Sequence, residues 1–141
     1  MPILDTNLLV HNVRQDSLWQ IVEARYALTS TSAAPIISIV TEGEIRGLAL
    51  KFAWGVEKQQ RMEDLLDYFT VIPLPFSNIV KTYAEIDDYS RRNGVTMGKN
   101  DIWIAATASV TGARLLTTDR DFDQSDGVYL SRDGSASPRP A

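Results

Sequence analysis

The stretch MPILDTNLLV, residues 1–10, joins a short apolar run to three hydrogen-bonding side chains before the chain turns apolar again. Ile3-Leu4 predicts a short buried strand that ends on Asp5. Residues from about 7 to 29 predict helix in two pieces that separate near Asp16-Ser17, where either residue can cap the second piece. Because a buried carboxylate is costly unless something compensates it, the stretch raises the question of what lies opposite Asp5.

Further along the chain, short apolar runs alternate with helical patterns. Strands are predicted at 35–38, 70–74, 114–117 and 128–130, and helices at 41–54 (ending near Gly55), 57–69, 77–92 and 101–110. This alternation predicts an α/β protein with a three-layer α/β/α fold, in which helices flank a short, mainly parallel central sheet. We expect one domain over 1–131 and a disordered tail over 132–141, which is polar and rich in Pro and Ser.

The composition excludes several kinds of functional site. The 141 residues contain no cysteine and a single histidine, His11. A thiolate metal site, a cysteine nucleophile, a multi-histidine zinc site and a two-histidine acid–base pair therefore cannot form within the chain. The sequence shows no secretory signal and no apolar run of the roughly 20 residues that span a bilayer, so we expect a cytoplasmic protein.

Five acids fall at places that the predicted fold brings to one edge of the sheet. Asp5 follows the first strand, Glu44 lies early in the helix after the second, Asp101 begins a helix, and Asp119 and Asp121 follow the 114–117 strand. In parallel sheets, ligands bind beyond the carboxyl ends of the strands. The sequence therefore predicts a cluster of carboxylates at this edge.

Each acid also has a purely structural interpretation. Asp5 and Asp101 can act as helix N-caps, Glu44 can form a capping box with Thr41, and Asp119 and Asp121 can be solvated turn residues. As a group, however, the acids would repel one another unless a cation lay among them. Oxygen ligands alone indicate Mg²⁺ or Mn²⁺, and such an ion suits phosphoryl chemistry because it activates water and stabilises the leaving oxygen.

The net charge is compatible with a polyanionic partner. The formal charge of the chain is −4, and removing the five acids leaves −4 + 5 = +1. The surface away from the predicted cluster is therefore close to neutral and need not repel a nucleic acid.

Four segments resemble the signature segments of PIN-domain ribonucleases, and most closely those of the VapC-type toxins of type II toxin–antitoxin pairs. They are ILDTN at 3–7, SIVTEGEIRG at 38–47, NDIWIAATA at 100–108 and LLTTDRDFD at 115–123. The resemblance covers nearly the whole chain before the tail, with the segments in the expected order and spacing.

The resemblance implies a Mg²⁺- or Mn²⁺-dependent endoribonuclease that is a homodimer and has a cognate antitoxin protein as partner. Its catalytic acids match Asp5, Glu44, Asp101 and Asp119, and the same four residues with Asp121 are the implied metal ligands. Asp119 and Asp121 compete for the fourth position, and the number of metal ions stays open. Thr6, Asn7 and Thr118 resemble the polar residues that hold water at the ion or orient the acids.

The RNA would need cations near the acids, and the nearest candidates are Lys99, Arg46, Lys51 and Arg120. The implied substrate is tRNA or another structured RNA, whose cleavage leaves a 5′-phosphate and inhibits translation. Two alternatives remain open at this point: a housekeeping PIN nuclease in RNA processing, and a non-catalytic PIN module that binds RNA or protein. A calcium loop at 119–130 fails, because its sixth position is Gln124 and its twelfth is Leu130.

Overall fold

A computed structural model describes residues 1–30, 34–127 and 131–133, without the side chains of residues 124–125 and 131–133. The strands are β1 (Pro2–Leu4), β2 (Ile36–Ser38), β3 (Thr70–Ile72), β4 (Arg114–Leu116) and β5 (Ser131–Asp133). The α-helices are α1 (Thr6–Arg14), α2 (Ser17–Tyr26), α3 (Ile39–Lys51), α4 (Val56–Tyr68), α5 (Ile79–Arg92) and α6 (Lys99–Thr111), and a 3₁₀ helix spans Arg120–Ser125. Every helix in the described ranges is too short or too polar to cross a membrane.

The strands form one sheet in the order β3-β2-β1-β4-β5, and every pairing is parallel. The register sets Leu4 of β1 beside Leu116 of β4. The carboxyl ends of β1 and β4 therefore lie side by side at one edge of the sheet. Both are interior strands in the strand order. The predicted parallel sheet is confirmed.

Alternate strand residues point to opposite faces of the sheet and divide the core in two. Leu4, Ile37 and Leu116 pack with buried residues of α1 to α4. On the other face, Ile3 and Leu115 pack with buried residues of α5 and α6. Helices thus cover both faces, which confirms the predicted three-layer α/β/α fold.

The helix predicted at 41–54 corresponds to α3, whose two ends lie at other residues than predicted. It begins at Ile39, because Ser38 accepts a hydrogen bond from the Val40 amide and caps it, and it ends at Lys51. Gly55 does not end this helix but is the N-cap of α4. The capping box of Thr41 and Glu44 is therefore wrong, since Thr41 lies inside the first turn.

Two further predictions concern the C-terminal region. The strand predicted at 128–130 lies outside the described residues, and β5 is found directly after it at Ser131–Asp133. This strand includes the first two residues of the predicted tail, and residues 134–141 lie outside the described part of the chain. The domain boundary at 131 stays a prediction.

Candidate functional site

The site begins where β1 and β4 end side by side. The Asp5 amide donates to the carbonyl of Leu116 at 3.0 Å, which continues the strand pairing by one step. Asp5 follows β1, and Thr117 and Asp119 follow β4 within three residues of its end. The parallel pairing of the two strands thus brings together residues that are more than a hundred positions apart in the sequence.

Hydrogen bonds hold both oxygens of the Asp5 carboxylate. Its Oδ1 accepts from the Thr6 amide at 2.7 Å, and its Oδ2 accepts from Thr117 Oγ1 at 2.7 Å. Only 3% of Asp5 is exposed, and Thr117 is fully buried. Asp5 is the N-cap of α1, as its structural interpretation predicts, yet the same carboxylate also borders an open cleft.

Glu44 reaches the same place from α3. Thr6 Oγ1 donates to Glu44 Oε1 at 2.7 Å and lies 3.3 Å from Thr41 Oγ1. Thr6 therefore links Asp5 to Glu44, through its amide on one side and its hydroxyl on the other. Glu42, two residues earlier, instead pairs with Arg46, as expected for helix positions that face different directions.

Asp101 approaches the cleft from the first turn of α6. The N-cap of this helix is Gly98, so Asp101 is not the cap. Its negative charge in the first turn still interacts favourably with the helix dipole. The cleft has a volume of about 350 Å³. Its lining consists of Asp5, Thr6, Asn7, Glu44, Gly47, Leu48 and Asp101.

Asp119 and Asp121 extend the carboxylate group on the β4 side. The Asp119 amide donates to Thr117 Oγ1 at 3.0 Å, and Asp119 Oδ1 accepts from the Asp121 amide at 2.8 Å, which caps the 3₁₀ helix. One oxygen each of Asp101, Asp119 and Asp121 lies within 4.8 Å of the others. Asp101 thus belongs both to this group and to the cleft that Asp5 and Glu44 line.

Burial, and after it the proximity of the other acids, raises the pKa of two carboxyls in the cluster. Burial raises the pKa of Asp5 to about 6; Glu44 and Asp119 add to the rise, and the hydrogen bonds from Thr117 and Thr6 oppose it. Burial also raises the pKa of Asp101 to about 7, with contributions from Asp5, Asp119, Glu44 and Asp121. Asp119 contributes to the raised pKa of both carboxyls and is half-buried, which favours it over the exposed Asp121 as the fourth acid.

The donor set fits a hard divalent cation. The cluster offers carboxylate oxygens alone, and burial together with mutual repulsion disfavours the ionised forms of Asp5 and Asp101, which a bound cation would offset. Asp5, Glu44, Asp101, Asp119 and Asp121 are the residues that could hold such an ion. Their arrangement is compatible with one ion or two.

The polar residues around the acids differ in part from the prediction. Thr6 contacts both Asp5 and Glu44, and Asn7 lines the cleft. The sequence predicts Thr118 as a residue that orients the acids, but the hydroxyl that donates to Asp5 belongs to its neighbour Thr117. The sequence patterns did not predict this contact. The signal lay in the LLTTD stretch, but which of two neighbouring threonines faces Asp5 depends on where β4 ends.

The four candidate RNA-binding cations lie in different settings. Arg46 faces α4, where it pairs with Glu63, and it also pairs with Glu42 on its own helix. Lys99 and Arg120 are exposed on the segments that carry Asp101 and Asp119. Lys51 is exposed at the end of α3, with its Nζ 5.5 Å from the centre of the Phe52 ring. Lys99, Lys51 and Arg120 are thus better placed for a ligand than Arg46.

A second cavity, of about 240 Å³, lies between α1, α2 and α4 and shares no residue with the cleft. Trp19, Leu65, Tyr68 and Phe69 give it a mainly apolar lining. Because it lacks a group of carboxylates, we place the candidate chemistry in the acidic cleft.

A model of the PIN domain family matches residues 3–128, which include all five acids of the cluster. This chain belongs to the PIN domain family. No curated protein matches the sequence.

Solved structures share the fold of this PIN domain. VapBC2 from Rickettsia felis, bound to a DNA fragment from its promoter, has a TM-score of 0.76 and 20% identity, with 93% of this chain and 96% of that chain covered. FitAcB from Neisseria gonorrhoeae has a TM-score of 0.75 and 24% identity, with coverage of 94% and 96%. VapBC-5 from Mycobacterium tuberculosis, a member of the VapBC family of toxin–antitoxin systems, has a TM-score of 0.65 and 21% identity, with 94% of each chain covered.

Proposed function

We propose that this PIN domain is a metal-dependent endoribonuclease that hydrolyses RNA phosphodiester bonds and leaves a 5′-phosphate. The observation that carries the proposal is the convergence of Asp5, Glu44 and Asp101 on one cleft, where Asp119 groups with Asp101 and where the pKa values of Asp5 and Asp101 are raised. A cation in the cleft would offset the mutual repulsion of these carboxylates and would attract the phosphate of a substrate.

In this proposal, Asp5, Glu44, Asp101 and Asp119 hold Mg²⁺ or Mn²⁺, and Asp121 contributes a further oxygen. The bound ion supplies charge stabilisation for the phosphodiester and promotes ionisation of the attacking water. The Thr6 amide and the Thr117 hydroxyl each donate to one oxygen of Asp5 and so hold its carboxylate in one orientation at the cleft. The chain needs no nucleophile of its own, which agrees with the absence of cysteine and the single histidine in the sequence.

We further propose that the protein is the toxin of a type II toxin–antitoxin pair, acting as a homodimer in the cytoplasm. Its substrate would be tRNA or another structured RNA, and its cleavage would inhibit translation. The support comes from the similarity in fold to VapBC-5, which is a member of a toxin–antitoxin family, over nearly the full length of both chains. A cognate antitoxin protein is the expected partner.

The decisive experiment for catalysis compares Asp101→Asn and Asp5→Asn with the wild type in the presence of Mn²⁺. Each substitution removes a charge from the ion's ligands, so we expect cleavage of labelled RNA to fall at least about a hundredfold. Asp67→Asn, at an exposed position on α4, is the matched control and should cleave normally. Full activity in folded Asp5→Asn protein would contradict the mechanism, and a ligation assay that requires a 5′-phosphate checks the product.

A cell experiment separates the toxin from a housekeeping nuclease and from a non-catalytic module. Expression of the wild type should arrest growth, and co-expression of the product of the neighbouring gene should relieve the arrest. Asp101→Asn protein should leave growth unaffected. Growth arrest that survives the loss of Asp101 would indicate binding rather than cleavage.

A further inference from the structure

One position in the cleft has no structural explanation in the free chain. Gly47 is exposed in the interior of α3 and lines the cleft between Glu44 and Leu48. A Cβ built at this position would meet no described atom within 4 Å other than those of its chain neighbours and the backbone of its own helix. Alanine would therefore fit in the protein as it stands.

Glycine in a helix interior lowers stability relative to alanine, because it gains conformational freedom in the unfolded chain and buries no side chain. A glycine that relieves a crowded contact between helices would explain that cost, but the space around Gly47 is open. Gly43 on the same helix has equally open surroundings, but of the two only Gly47 lines the cleft, so an occupant of the cleft can approach the helix backbone closely at Gly47.

The neighbourhood of Gly47 indicates what approaches. Glu44, three residues earlier on α3, belongs to the acid cluster, and Lys51, four residues later, is an exposed cation on the same side of the helix. A chain of phosphates that meets the cation site at Glu44 and continues along α3 would pass Gly47 before it reached Lys51.

We propose that Gly47 is a substrate-positioning residue, at which the sugar–phosphate backbone of the RNA packs directly against α3 on its way from the acid cluster to Lys51. The proposal rests on the proposed ribonuclease function and adds the direction in which the substrate leaves the site. A side chain at position 47 would occupy the space that a ribose needs.

The test measures kcat and KM with Mn²⁺ on a pool of fluorophore-labelled RNAs of randomised sequence, for Gly47→Ala, Gly47→Leu and Gly43→Ala. Gly43 is the matched control, because it is an exposed interior glycine of the same helix with equally open surroundings and does not line the cleft. Both alanine variants should melt roughly 3 to 5 °C above the wild type. We expect KM to rise about tenfold for Gly47→Ala and further for Gly47→Leu, with kcat nearly unchanged, and no change in KM for Gly43→Ala.

Several results would overturn the proposal. Unchanged KM in both Gly47 variants would remove the role of Gly47 and leave the ribonuclease function intact. A lower melting temperature for Gly47→Ala would mean that the glycine serves the fold. Loss of self-association in Gly47→Ala, measured by light scattering, would mean that a second copy of the chain packs there. A wild type that cleaves no RNA would overturn the proposed function itself, and the role of Gly47 with it.

Discussion

Asp5 combines two roles that usually belong to different residues. Its Oδ1 accepts from the Thr6 amide at the start of α1, and its Oδ2 accepts from Thr117 across the sheet. Each bond stabilises the ionised carboxylate, although burial still leaves its pKa raised to about 6. Asp5 is thus held in one orientation while its charge remains available to a cation in the cleft.

The Thr117 hydroxyl should matter for metal binding more than for folding. Thr117→Val keeps the shape of the buried side chain but removes the donor to Asp5, so we expect Mn²⁺ affinity and cleavage to fall roughly 10- to 100-fold. Thr117→Ser retains the hydroxyl and should recover most of both. Calorimetric titration with Mn²⁺ and an RNA cleavage assay measure the two effects.

Thr107→Val is the control for this substitution. Thr107 is also fully buried, but its hydroxyl donates to the Trp103 carbonyl within α6. Any loss of stability from replacing a buried hydroxyl should appear there without a loss of Mn²⁺ affinity. Equal Mn²⁺ affinity in Thr117→Val and the wild type would contradict the positioning role of Thr117.

The raised pKa values make stability depend on pH. The folded pKa values of Asp5 and Asp101, about 6 and about 7, lie above the ordinary value of 3.8, so the folded state binds more protons between these limits. Stability of the metal-free protein therefore falls as pH rises from about 4 to 8. Between pH 5 and pH 8 we expect a loss on the order of 2 kcal/mol in the free energy of unfolding, allowing for the partial exposure of Asp101.

Urea denaturation at pH 5 and pH 8 in the presence of a chelator measures this loss. Asp101→Asn should flatten the pH dependence and be more stable than the wild type at pH 8, because it removes a charge that its neighbours repel. Mn²⁺ at pH 8 should stabilise the wild type more than Asp101→Asn. A wild type that gains stability between pH 5 and pH 8 without metal would contradict the crowding of the carboxylates.

At the scale of the elements, α6 shows how a central helix can hold one of the clustered acids in place. Ile102, Ile104 and Ala105 are buried, and the helix ends at Gly112 in the left-handed conformation. The apolar sequence of this helix predicts its buried position, and the first turn reaches the carboxyl edge of the sheet. Packing on several sides therefore fixes the position of Asp101.

Asp16, in the link between α1 and α2, caps α2 and contacts a side chain of α1. Asp16 Oδ1 accepts from the Trp19 amide at 3.2 Å, and its Oδ2 lies 2.5 Å from His11 Nδ1. Asp16→Ala should lower the free energy of unfolding by about 1 kcal/mol, whereas Asp16→Asn should retain most of the cap. Chemical denaturation measures both variants, and an Asp16→Ala protein as stable as the wild type would show that the cap contributes nothing.

At the scale of the whole molecule, the proposed function requires a protein with a net charge of −4 to bring a polyanion to an acidic cleft. The cation in the cleft and a few basic side chains around it would provide the attraction. Lys99 is exposed two residues before Asp101 and is the first of these side chains to test.

Lys99→Ala should raise KM for RNA and reduce the slope of log KM against log salt concentration by about one, since one phosphate contact is lost. Lys81→Ala is the control. Lys81 is also exposed, but it lies near the start of α5, and the chain continues to Lys99 from the opposite end of this helix. Equal salt slopes for the wild type and Lys99→Ala would exclude a phosphate contact at this position.

Local patterns in the sequence determined the elements and the candidate acids. Hydrophobic periodicity and capping residues depend on neighbours along the chain, so they predict the α/β/α order and the separation of α1 from α2, whereas the family resemblance selects Glu44. Helix ends were less predictable, because Gly55 can end one helix or begin the next.

The tertiary structure alone decided which side chains meet across the sheet. The register of β1 and β4 joins Asp5 to Thr117 rather than Thr118, because a shift of one residue along a strand turns the side chain to the opposite face. The packing of α3 on α4 likewise turns Arg46 towards Glu63. The sequence by itself determined that an acidic edge would exist, and the strand register determined how Asp5 is held there.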